Sequence, residues 1–180
     1  IAACNTGVSR FSELFDRWSI ETVYASMMSL MDYSERMTRA EIAKIPDGEY
    51  FFSDQLDDDA VSPDSGPVTM AVTMTVKGDA INFNFAGTDP QVKSSINNVL
   101  ASTASVVYYI VRTLTGDRVP NNDGCYRPIS VEAPEGSIVN CSYPAPVASR
   151  GMGLMRIEDV VNGVMGKALP KKMTAAHSGQ

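Results

Sequence analysis

Residues 68–85 decide the fold: Val68-Thr-Met-Ala-Val-Thr-Met-Thr-Val76, then Lys77-Gly78-Asp79-Ala80-Ile81-Asn82-Phe83-Asn84-Phe85. In the first nine, an apolar residue stands at every second position. Successive side chains of a strand point to opposite faces, so this alternation predicts a strand with one buried face. Gly78-Asp79 then fits a two-residue turn with glycine first. Ile81, Phe83 and Phe85 alternate with Asn82 and Asn84 on the way back. The stretch from about 68 to 86 therefore reads as a β-hairpin.

Working outward, Glu49 to Leu56 reads as another strand, with Tyr50 and Phe52 on one face. It runs into Asp57-Asp58-Asp59 and a turn-rich loop at 60–67. Upstream, Val8, Phe11, Leu14, Phe15 and Trp18 recur at helical spacing. Ser19 is placed to cap a second helix, with Glu21 in its first turn. Ile20, Val23, Tyr24, Met27, Leu30 and Met31 form one apolar stripe, and the helix runs on through Met37 and Ile42 to Pro46-Asp47-Gly48. The methionines suggest a greasy binding face, but a stripe at this spacing is read as core.

Downstream, Gly87-Thr88-Asp89-Pro90 breaks the hairpin. Ile96, Val99, Leu100, Thr103, Val107, Ile110, Val111 and Leu114 keep one face of a long helix, which Gly116 closes. Residues 116–128 form a loop, Pro128–Val131 a short strand, and Pro134-Glu135-Gly136 a turn before Ile138-Val139. An irregular loop at 142–150 leads to a last helix, from about Met152 to Leu169, stopped by Pro170. The order is helices, then a sheet, then helices and loops. This is α+β, with long amphipathic helices packed on a small antiparallel sheet. Residues 1–180 read as a single domain or as a segment of a larger protein.

Composition narrows the function. The 180 residues are 44% hydrophobic and 20% charged, with a net charge of −6. The pI is about 4.7 and the mean hydropathy −0.08. Lysines and arginines are scattered, whereas a surface built for a phosphate backbone is basic, so no nucleic-acid partner is expected. The longest apolar stretch, Val99–Leu114, is interrupted by Ser102, Thr103, Ser105 and Arg112, and falls short of a membrane span. Three cysteines, Cys4, Cys125 and Cys141, form no CxxC pair. They read as reduced, buried or half-buried thiols in a cytoplasmic protein. The chain begins without methionine and ends without a tapering tail, so both ends read as cut from something longer.

The chemistry-bearing residues are few. One histidine, His177, stands near the end, so no metal site with nitrogen or sulfur ligands is expected within the segment. Asp54, Asp57, Asp58, Asp59 and Asp64 lack calcium-loop spacing and read as a solvated strand end. No G-x-S-x-G, G-x-G-x-x-G or P-loop occurs. Gly151-Met152-Gly153 opens a helix whose N–H groups suit an anion, a weak signal by itself. Residues 116–151 are an irregular stretch dense in Asn, Gly, Pro and Arg. Such loops either bind something or lock against another part of the molecule. Arg127 and Arg150 are suited to a carboxylate or phosphate, and equally to loop carbonyls.

Several segments resemble the hydantoinase B/5-oxoprolinase family. They are Ile45-Pro-Asp-Gly-Glu-Tyr50 with Asp54-Gln-Leu-Asp-Asp-Asp59, and Phe83-Asn-Phe-Ala-Gly-Thr-Asp-Pro-Gln-Val92 with Ile96-Asn97-Asn98. Val119-Pro-Asn-Asn-Asp-Gly-Cys-Tyr-Arg-Pro-Ile129 is the strongest. Pro134-Glu-Gly-Ser137, Asn140, Pro144-Ala-Pro-Val147 and Arg150-Gly151 follow in order. Two positions depart from the family pattern. Asn84 stands where aspartate is common, and Ser94-Ser95 where Gly-Pro is common.

The resemblance implies a B-type subunit roughly three times this length, working with an A-type partner of actin-like kinase fold that binds ATP and Mg. It implies phosphorylation of an amide, carbonyl or bicarbonate oxygen by that partner, then ring opening or carboxylation on the B side. In some members the B side uses a divalent metal, held by a histidine motif in the N-terminal part outside these residues. Hydantoin, 5-oxoproline or another lactam is the implied substrate, and the isolated segment is expected to be inactive. Asn97, Asn121, Arg127, Asn140 and Arg150 are donors of the type that orients water and stabilises an oxyanion, and are the candidate substrate-binding residues. A segment of an ATP-dependent ketone carboxylase and a non-catalytic docking scaffold are the competing readings.

Overall fold

The structure, a computed structural model, describes residues 1–59, 61–62, 64–116 and 119–173. His177 lies outside the described residues, as do Ala60 and Pro63 of the 60–67 loop. Four helices and four strands follow in the order α1 (Ala2–Phe15), α2 (Ile20–Ile42), β1 (Gly48–Leu56), β2 (Val68–Lys77), β3 (Ala80–Asn84), α3 (Leu100–Thr115), β4 (Ile129–Glu132) and α4 (Arg150–Ala168). A single 3₁₀ turn, Asp123–Cys125, precedes β4.

The hairpin forms as its alternation requires. Lys77 pairs with Ala80 across Gly78-Asp79, and Gly78 takes the left-handed φ of +61° that only glycine adopts without strain. The sheet order is β1-β2-β3-β4. β1-β2 and β2-β3 are antiparallel, but β4 pairs with β3 in parallel. The sheet is therefore mixed. A parallel partner needs a crossover, and α3 with its flanking loops supplies it.

The register makes one face dry and one wet. Tyr50, Met74, Phe83 and Val131 stand in one row across the strands, and Val76, Ile81 and Ile129 in the next. These residues meet Val107, Ile110 and Val111 of α3 and Ile157, Val161, Val164 and Met165 of α4 in the single core cluster, joined by Ile42 and Ile45. The opposite face carries Thr73, Thr75, Asn82, Asn84 and Glu132, none of them buried. Gly163 lets α4 lie directly on β1, since a Cβ there would stand 2.5 Å from the Phe52 ring. Arg156 of α4 pairs with Asp54 of β1, so one member of the acidic cluster is an inter-element anchor. Asp59 is buried, and accepts N–H bonds from Val61 (3.0 Å) and Ser62 (2.6 Å). Those backbone donors hold its carboxyl below the usual range.

The solvated reading of the acidic cluster thus fails at Asp59, and other expectations are corrected too. The third helix starts at Leu100, so Ile96 and Val99 precede it. Asn97 and Asn98 spend their amides on nearby carbonyls instead, which competes with helix formation. Cys4 is exposed, while Cys125 is buried and Cys141 half-buried, and none is paired. The largest correction concerns the N-terminal stripes. α2 is capped by Ser19, whose hydroxyl accepts from Thr22 N–H. Yet no residue of α1 is buried, and of the α2 stripe only Val23 is. Trp18, Ile20 and Tyr24 keep 50%, 64% and 65% of their surface in solvent. The periodicity is that of an amphipathic helix, but the surface needed to cover its apolar face is not among the described residues.

Candidate functional site

The strongest motif, residues 119–129, folds as a clamp on the second half of α2. Asn122 caps the 3₁₀ turn by accepting from Gly124 N–H, and donates to the buried Ser34 hydroxyl of α2 at 2.9 Å. Ser34 in turn donates to the Pro120 carbonyl. Gly124 touches the helix backbone, since a Cβ there would sit 2.0 Å from the Met31 carbonyl oxygen. Arg127 ion-pairs with Asp32 at 3.0 Å and Glu35 at 3.1 Å. Hydrogen bonds from Arg39 and Arg127 hold the Glu35 carboxyl below its usual range. Asn121 accepts from the Tyr126 hydroxyl, and Tyr126 stacks on Tyr108 of α3.

The other candidates gather elsewhere. Asn97 is fully buried. Its carbonyl accepts from Val92 N–H, and its amide faces the carbonyls of Val92, Ser94 and Pro146 at 2.8–3.0 Å. Asn140 donates to the Ala133 carbonyl and closes the 133–140 turn. Ser95 and Ser149 join through their hydroxyls, and Ser149 N–H donates to the Ser95 carbonyl. Just beyond, Arg150 opens α4. It is exposed, and its guanidinium makes no hydrogen bond or ion pair among the described residues. No acid stands in the first turn of α4, so the positive helix end and the Arg150 charge are both uncompensated there. Gly153 brings this turn against the 96–98 loop. A Cβ there would lie 2.3 Å from Asn98 Nδ2 and 2.4 Å from the Ile96 carbonyl oxygen.

The five candidates therefore do not share one pocket. Arg127 precedes β4 and Asn140 follows it, so Asn121 with Arg127 and Asn140 with Asn97 and Arg150 lie at opposite ends of the β3–β4 ladder. Asn97, Asn140 and Arg127 already have intramolecular partners. Of the five, Arg150 alone offers an unpaired cation. Sequence reading did not single out Asp89, Gln91 and Asn98 as site residues, yet their hydrogen bonds brace the 136–142 loop. Asp89 accepts from Thr69 N–H, Gln91 accepts from Ser142 N–H, and the Asn98 backbone bonds to Ile138 and Cys141. All three sit in the resemblance segments, the one signal that pointed to them. Burial pushes the Cys141 thiol up, so it is no activated nucleophile. No group of three or more His, Cys, Asp or Glu among the described residues is arranged to hold a metal. No described helix is long and apolar enough to cross a membrane.

The sequence matches the Hydantoinase B/oxoprolinase family over residues 1–180. The chain belongs to this family. It is 33% identical to the B-type component of a putative D-/L-hydantoinase from a Pseudomonas strain, over 97% of this chain and 31% of that protein. The ATP-dependent caprolactamase of Pseudomonas jessenii superposes with a TM-score of 0.84 at 29% identity, over 97% of this chain and 30% of the other. Acetone carboxylase shares the fold, with a TM-score of 0.77 at 16% identity, over 94% of this chain and 24% of the other. The chain thus spans about a third of the length of the hydantoinase component and the caprolactamase chain.

Proposed function

We propose that the chain is part of the B-type subunit of an ATP-dependent cyclic-amide hydrolase that works with an ATP- and Mg-binding A-type subunit. The match to the hydantoinase B family over the whole chain, together with the close superposition on a caprolactamase, carries this reading. A lactam or imide carbonyl is a poor electrophile for water. Phosphorylating its oxygen converts that oxygen into a leaving group, so ATP drives the hydrolysis. The B-type side then has to hold an anionic, phosphorylated substrate and favour developing negative charge. The start of α4 suits the first task, because Arg150 and the helix end present positive charge with no acid in that turn. Asn97 and Asn140 brace loops before α4, Asn121 holds the Tyr126 hydroxyl, and Arg127 holds α2. Hydantoin, 5-oxoproline and larger lactams all fit this chemistry. The carboxylase reading rests on shared fold alone.

The test uses the full-length subunit assembled with its A-type partner. Phosphate release from ATP is measured with a panel of cyclic amides, and separately with ketones plus bicarbonate. Stimulation by a cyclic amide is the expected result. Stimulation only by ketone with bicarbonate would replace the hydrolase reading with the carboxylase one. Silence from both classes in an intact complex would leave the scaffold reading.

A further inference from the structure

We infer that the apolar face of α1 and the first half of α2 is an internal docking surface, covered by the part of the same B-type polypeptide that lies outside residues 1–180. The inference rests on the chain's place within a longer B-type polypeptide, not on the reaction proposed above. Phe11, Phe15, Trp18, Tyr24, Met27 and Leu30 are all exposed by 40% or more. Between the two helices runs a groove of about 300 Å³, walled by Leu14, Trp18, Val23, Met27 and Leu30. The two hydroxyls on its rim are used locally. Ser26 donates to the Thr22 carbonyl, and the Thr22 hydroxyl pairs with Ser19. A small polar ligand would need convergent polar groups to fix its orientation. This groove offers none, and apolar side chains of another segment fit it.

Three observations choose the occupant. The match to caprolactamase leaves unmatched a remainder shorter than α1 alone, so the arm belongs to the fold shared with a chain about three times as long. The clamp at 119–129 fixes the second half of α2, the half from which the arm projects. Its flanks carry both signs of charge, with Arg10 paired to Glu13, so no field selects a charged partner. A segment of the same polypeptide loses far less translational and rotational freedom on docking than a separate molecule does.

The test places the photo-crosslinking residue p-benzoylphenylalanine at Trp18, and separately at Tyr24, in the full-length subunit assembled with its A-type partner. The same residue at Tyr143, exposed elsewhere on the surface, is the background control. Adducts are mapped by mass spectrometry on mixed isotope-labelled preparations, which separate intrachain from interchain links. The expected result is intrachain adducts to residues outside this segment, above the Tyr143 background. Adducts to the A-type partner, to a second copy or only within residues 1–180 would overturn the inference, as would no adduct at either position. Turnover of the same preparations is read separately, so a failed reaction assignment leaves this result intact.

Discussion

At the scale of single residues, backbone-directed side chains outnumber candidate catalysts. Asn97 is the clearest case. Truncation to alanine strips hydrogen bonds from Val92, Ser94 and Pro146 in a buried loop. Each buried polar group left unpaired costs about 1–3 kcal/mol, so Asn97→Ala should destabilise by at least ~2 kcal/mol, read by denaturant unfolding. Gly153→Ala sets two effects against each other. Alanine gains about 1 kcal/mol in a helix interior over glycine. The new Cβ, however, meets the Ile96 carbonyl oxygen at 2.4 Å, and backbone cannot swing aside. Overpacking of this kind costs about 1–3 kcal/mol. The clash wins, and the variant should unfold at lower denaturant. Asn84 explains a departure from the family pattern. Its amide donates to Glu132 at 3.3 Å and its carbonyl accepts from Ala86 N–H. An aspartate there would face Glu132 with like charge.

At the scale of elements, period-two and helical patterns revealed the strands and helices but not what covers them. The hairpin was legible because its buried face and its turn residues lie in one continuous stretch. The exposure of the α1–α2 face was not, because an amphipathic pattern is the same whether its cover is nearby or elsewhere. Nor was the clamp, since Arg127 and Asp32 are far apart in sequence and meet only through the fold. The clamp gives two predictions. Gly124→Ala drives a Cβ into the Met31 carbonyl and should loosen α2, raising amide exchange over residues 31–42 while β2 and β3 stay protected. The pH dependence follows from Glu35. Its folded pKa lies below the ordinary 4.5, so its contribution is present above that value and is lost as pH falls through the folded pKa. Glu35→Gln should therefore flatten stability against pH in that acidic window, and leave the slope near neutral pH unchanged.

At the scale of the whole molecule, the parallel β3–β4 pair separates two tasks that the sequence presented as one irregular stretch. One end of the ladder secures α2 and the apolar arm. The other carries the braced 136–142 loop and the start of α4, where Arg150 has no partner among the described residues. Two arginines distinguish these ends. Arg127 is held by Asp32 and Glu35, so removing it should loosen the arm and not the chemistry. Arg127→Ala is expected to lower the melting temperature of the assembled complex, with turnover per intact complex staying within about twofold, a difference under about 1 kcal/mol. Arg150 contributes to no described ion pair, so its loss should leave the melting temperature unchanged. If its charge serves a phosphorylated substrate, Arg150→Ala should cost at least about tenfold in kcat/KM, or roughly 1.4 kcal/mol of transition-state stabilisation. Arg150→Lys should restore part of that loss, because a point charge replaces some of the field but not the planar guanidinium. Measuring melting and turnover together on all three variants separates the ends. Arg150→Ala complexes with full activity would remove the start of α4 from the reaction. Arg127→Ala complexes inactive at full thermal stability would place the reaction at the clamp instead.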